Sequence, residues 1–168
     1  MLEQGTRGGD AAARLQAVTE QILSEVQRLP SELITWIPAA GVWSVMDNLC
    51  HVREFVPFWT AEALRIARQS GEQWGRDHTD AARLAAVTNT AANKLQDVTD
   101  DIRRVVLQSA GTLTGLSDAD LAVEATSRNP RWGLKPASFV VEHLLVQHVE
   151  KHLGQIRRNV TQFDERRA

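Results

Sequence analysis

The sequence is poor in the features that would tie it to secretion, a membrane or a nucleic acid. It has a single cysteine, Cys50, so an intramolecular disulfide is excluded and a reducing compartment suits the chain. No apolar run approaches membrane-spanning length, and the N-terminal stretch Met-Leu-Glu-Gln-Gly-Thr-Arg-Gly-Gly-Asp lacks the apolar core of a signal peptide. Neither sign of charge dominates. With 19 Lys and Arg against 21 Asp and Glu, interspersed, the net charge is −2 and there is no basic footprint for a polyanion. Internal repeats and low-complexity segments are also missing. The expectation is a cytoplasmic protein of 168 residues, one domain long and able to bury a full core without staples, with neither membrane nor nucleic acid as partner.

What the chain does have is helical periodicity. After a Gly-rich leader over residues 1–9, Asp10 is placed to cap a helix whose stripe runs Ala11, Leu15, Val18, Ile22, Val26 and Leu29, until Pro30 stops it. Residues 30–43 form a connection with its own apolar anchors, Leu33, Ile34, Trp36 and Ile37. Ser44 with Asp47 three residues on resembles a capping box. The second stripe follows: Val45, Leu49, Val52, Val56, Trp59, Ala63 and Ile66, with Pro57 inside it as a candidate kink and Ser70-Gly71 as its end. Residues 71–78 read as a polar turn around Trp74. A long third helix is expected over about 80–110 with the stripe Leu84, Val87, Ala91, Leu95, Val98, Ile102 and Val105. From 111 to 135 the pattern breaks, with one short turn at 117–121, and a connection that long is expected to cross the bundle or cover a site. Pro136 opens a fourth helix running to about 163, and 164–168 is a charged tail. Four amphipathic helices over 10–163, with a long crossover before the last, describe an all-α four-helix bundle.

Two histidines one turn apart, His148 and His152, stand on the fourth helix. At about 100° per residue they fall on the arc of Val141, Leu145, Val149 and Ile156, while His143, Glu150 and Arg157 fall opposite. The pair therefore faces the interior, where an unsatisfied polar group costs about 1–3 kcal/mol. A bound cation would satisfy both rings. Carbonyls or buried water would also do so. His51 lies inside the apolar arc of the second helix, whereas His78 in the polar turn and His143 on the outer face read as exposed.

The residues that frame these histidines resemble a known family. Gly41-Val42-Trp43-Ser44-Val45-Met46-Asp47-Asn48-Leu49-Cys50-His51 is similar to the W-S-(x)6-H helix start of the DinB/YfiT-like superfamily of metal-binding four-helix bundles. His148-Val149-Glu150-Lys151-His152-Leu153-Gly154-Gln155-Ile156 resembles its H-x3-H-x-G-Q-[IL] ending. The resemblance implies a divalent metal held by His51, His148 and His152, and a homodimer. It also implies a place among thiol-dependent S-transferases and isomerases that use low-molecular-weight thiols, a family that includes many members without an assigned activity.

Three imidazoles suit zinc first and accept nickel or iron, and they leave at least one coordination position for water or substrate. The metal would then activate either a thiol, for transfer to a small electrophile, or a water, for hydrolysis. A non-catalytic metal or small-molecule binder is the other reading. Gln155, one heptad past His148, is placed to orient a ligand ring, to meet a substrate or to bond across the bundle. Asp47 and Glu54 are candidates for a base or an orienting acceptor, against a helix cap and a solvated acid. Gly154 would permit close helix approach, and Cys50, rotated away from His51, is expected to pack. Trp43 reads as a staple at the start of the second helix. Arg131 and Trp132 are candidates for the mouth of a site, against an ordinary surface loop.

Overall fold

The computed structural model describes residues 7–68 and 71–168. In chain order the helices are α1 (Arg7–Val26), α2 (Ser31–Thr35), α3 (Val45–Ala67), α4 (Ala81–Ala86), α5 (Leu95–Thr114) and α6 (Asp118–Ala122). A hairpin of β1 (Glu124–Thr126) and β2 (Leu134–Pro136) comes next, paired antiparallel with Ala125 opposite Lys135. The chain ends in one rod built of α7 (Ala137–Phe139), a π-helical stretch (Val140–Val146) and α8 (Gln147–Arg167). The backbone stays in the right-handed helical region across both junctions, so the rod is unbroken. α1, α3, α5 and this rod are the four members of the bundle. α5 packs on α1 and α3, and the rod closes against the other side of the same two helices.

The core is made by the stripes read from the periodicity. Leu15 and Ile22 on α1, Leu49, Val52 and Val56 on α3, Val98 and Ile102 on α5, and Val149 and Ile156 on α8 are all fully buried. α3 runs through the exposed Pro57 to Ala67 without a break. Ser70 lies outside the described residues, as does the leader over residues 1–6.

Elsewhere the chain departs from its periodicity, and the reasons are local. Residues 7–9 belong to α1, three residues ahead of the expected cap at Asp10. Gly8 is buried there, and a Cβ on it would collide with the carbonyl oxygens of Leu113 and Leu116 at the end of α5. The glycine is what lets α1 approach. The expected single helix over 80–110 is instead α4, a 3-10 turn (Thr90–Ala92) and α5. Asn89 takes the left-handed conformation (φ 52°), which asparagine tolerates, and Thr90 donates a hydrogen bond to Asp47 at the start of α3. Leu84, expected on the buried stripe, is 47% exposed.

Trp74 is buried rather than part of a polar turn. Its indole donates to Ala125 O (2.8 Å), and its backbone bonds Thr126 and Arg128, so the segment after α3 is strapped to the hairpin. The connection over 111–135 holds the end of α5, then α6 at the expected turn, and then the hairpin. Ile37, expected as an anchor, is exposed, whereas Leu33 and Ile34 are buried and Trp36 meets Phe163 edge-on at 5.3 Å. No helix among the described residues is long and apolar enough to cross a membrane.

Candidate metal centre

The centre begins with the cap of α3. Ser44 Oγ accepts from Asp47 N (3.1 Å) while the Asp47 carboxylate accepts from Ser44 N (2.8 Å), which fixes the first turn of the helix. From that start Asn48, His51 and Phe55, three and four residues apart, fall on one face, and all three touch rings of α8. The ligand atoms of His51, His148 and His152 lie within 4.8 Å of one another. His51 and His152 are buried, and His148 is partly exposed.

Hydrogen bonds decide which ring nitrogens are free. Asn48 Nδ2 donates to Ser44 O (2.8 Å), so its Oδ1 is the acceptor facing His152 Nδ1 at 2.7 Å. His152 therefore carries its proton on Nδ1 and points the lone pair of Nε2 inward. The His148 ring faces the carbonyl of Leu144, one turn back within the π-helical stretch, which favours its protonated form. His51 Nδ1 and His152 Nε2 are buried with no hydrogen-bond partner.

Aromatic rings wall the centre. Trp43 stacks on His152 (centroids 6.0 Å apart, planes at 10°) and meets His51 edge-on, while Phe55 stacks on His148 at 4.0 Å. Burial in these walls pushes the rings toward the neutral form. His51 falls to about 2, through burial first and then the neighbouring His152 and His148. His148 falls to about 4 through burial, against the Leu144 bond, with Lys151, Arg83 and Arg76 adding to the depression. His152 falls to about 3 through burial and His148, with Gln155 acting in the opposite direction. All three are neutral at physiological pH, as metal ligation requires. Two orphaned nitrogens, three ligand atoms within 4.8 Å of one another and the Asn48 acceptor behind His152 fit a divalent cation. No acid or thiol among the described residues joins the three histidines.

The other candidate residues occupy different places. Asp47 is engaged in the cap and by Thr90. Glu54 holds Arg76 through two bonds of 2.6 Å. Gln155 reaches the centre, with its Oε1 buried and without a partner. Gly154 meets no other helix; the nearest atom to a Cβ placed there is Arg158 Nη1 at 3.8 Å. Cys50 is buried, which pushes its thiol up despite Arg53 close by. His78 and His143 are exposed. Arg131 lies over Trp132, which packs on Phe139 at the hairpin.

The sequence pattern does not single out Asn48 and Phe55 as site residues, and Trp43 does more than staple a helix. A polar residue inside an apolar stripe, one turn before His51, was the available signal for Asn48. Nothing in the spacing marked Phe55 as a wall rather than core.

The sequence profile of the DinB superfamily matches residues 14–156. Among curated proteins none matches. Among solved structures, the chain is similar to YfiT from Bacillus subtilis, described as a probable metal-dependent hydrolase with an unusual four-helix bundle topology. The TM-score is 0.77 at 11% identity, over 98% of this chain and 93% of that one. The chain belongs to the DinB superfamily.

Proposed function

We propose that this DinB-superfamily chain is a metal-dependent enzyme, an S-transferase or isomerase that directs a low-molecular-weight thiol at a small electrophile. Its divalent cation would be zinc first, with nickel or iron also accepted by three imidazoles. The observation that carries the reading is the ligand set, three neutral histidines converging in an aromatic box with no acid or thiol joining them among the described residues. When bound, the cation supplies Lewis-acid charge that keeps a thiol or a water deprotonated at the open position.

The chain's own residues do the rest. Asn48 holds the His152 ring in orientation, and Trp43 and Phe55 keep bulk water from the faces of the histidines. Arg83 and Arg76 act on all or most of the triad from outside the box. Arg76 is neutralised by Glu54 and Asp80, whereas the Arg83 side chain bonds the carbonyl of His78, so its charge is left to the site. A positive surround favours an anionic nucleophile, thiolate or hydroxide alike. Hydrolysis is the second reading, supported by the description of YfiT.

Zinc-loaded protein should be offered 1-chloro-2,4-dinitrobenzene with cysteine or glutathione, and separately p-nitrophenyl acetate without thiol. The expected result is thioether formation that needs both metal and thiol and is lost on chelation or in His51→Ala. Chelator-sensitive ester cleavage without thiol would replace this reading by the hydrolase. Silence in both assays would remove the support for either.

A further inference from the structure

A cleft of about 510 Å³ opens beside the metal centre, lined by Trp43, Asn48, Gln155, Arg158, Asn159 and Gln162 among others. None of the three histidines lines it, so it is distinct from the coordination pocket. Its volume is within the range of about 300–1,000 Å³ typical of small-molecule sites. Trp43 and Asn48 form its wall toward the centre, and both touch His152 from the other side.

The polar groups of the cleft divide into two sets. Asn48 is committed to His152 and Ser44, and Asn159 Nδ2 to the carbonyl of Trp43 (2.8 Å), so these two shape the wall. Arg158, by contrast, has no acidic partner among the described residues, although Arg157 beside it holds Glu25. Its guanidinium lies back along α8 in the space left by Gly154. Gln155 also lines the cleft, with its buried Oε1 set against His152 of the metal centre. The cleft thus combines one uncommitted cation, amide side chains and an indole.

We infer that this cleft binds a small monocarboxylate bearing an amide, of the acylamino-acid or short-peptide class. The Arg158 fork takes the carboxylate, a planar match that an ammonium would not provide. Gln162 takes the amide, and Trp43 gives the ligand a face to lie on. A single guanidinium among neutral amides suits one negative charge rather than a phosphate dianion. The inference stands apart from the proposed reaction, because occupancy of the cleft needs neither metal nor thiol.

The test is calorimetric titration of metal-free full-length protein with N-acetylglycine, with the Trp43 indole followed by NMR. N-acetylglycine should bind at one site with Kd on the order of 1 mM and shift the Trp43 signal, as expected for so small a ligand. N-acetylglycinamide should bind about 10-fold more weakly, and Arg158→Gln should erase that difference. Arg158 is exposed, so its replacement spares the fold. Arg166→Gln, the same charge change farther along α8, should leave binding as in the wild type. Absence of saturable binding, equal affinity for acid and amide, tighter binding of inorganic phosphate, or equal loss in Arg166→Gln would each overturn the assignment. The transferase reading would survive any of these, since the probe carries no thiol.

Discussion

Asn48 selects the free nitrogen of His152, because its own amide is oriented by the carbonyl of Ser44. Removing such an orienting acceptor typically weakens metal affinity about 10–100-fold. Asn48→Ala should show that loss in competition with a chromophoric chelator while its helical circular dichroism stays intact; unchanged affinity would mean that the ring is held by packing alone. The ligands themselves separate cleanly from the other histidines. His51→Ala, His148→Ala and His152→Ala should each empty the centre by elemental analysis, and His78→Ala and His143→Ala should not. Metal loss in His143→Ala would place the cation elsewhere. Asp47 and Glu54 illustrate why candidate acids are hard to sort by spacing. Each lies within a turn of His51, yet one is held by the helix cap and the other by Arg76, which is 22 positions away in sequence.

The elements differ in how openly the sequence declares them. α1, α3, α5 and α8 were legible because each repeats apolar residues at three- and four-residue steps, and the facing of His51, His148 and His152 followed from the same count. The π-helical stretch was not legible. Its buried pairs, Val140 with Leu145 and Val141 with Val146, are five apart, yet Val141 and Leu145 also stand four apart, so a count in steps of three and four reads through the stretch as ordinary helix. The break between α4 and α5 was hidden by alanines, which suit a helix but bury little, and was set by the Thr90 bond to Asp47. The buried Trp74 depends on a hairpin some fifty residues later. Gly8 looked like part of a loose leader and is a contact point between helices. Gly8→Ala should therefore cost about 1–3 kcal/mol through overpacking against α5, read as a lower midpoint in urea. An unchanged midpoint would show that α1 shifts freely at that end.

At the scale of the molecule, the core is apolar and continuous through all four rods, so the bundle should fold without metal and gain stability from it by mass action. Acidity enters through the histidines. Their native values of about 2, 4 and 3 lie below the unperturbed value of about 6.5, so below that pH the unfolded chain binds protons that the folded chain refuses. Stability of the metal-free protein is thus fully present above pH ~6.5 and falls with pH below it, by about 1.4 kcal/mol per pH unit for each histidine. The loss levels off as His148, then His152, then His51 take up protons in the fold. Thermal melts of chelated protein should be flat from pH 8 to 7 and drop steeply from 6.5 to 5. A midpoint independent of pH across that range would mean that the rings are not held neutral. The bond between Asn48 and His152 spans 104 positions, which bears on how the protein is made. During synthesis from the N-terminus, α3 emerges long before its partner, and no short segment holds all three rings of the site. Closing so long a loop must await the last helix. Until α8 emerges the nascent chain holds only His51 of the triad, and the full set of three is offered to a cation only by the finished bundle.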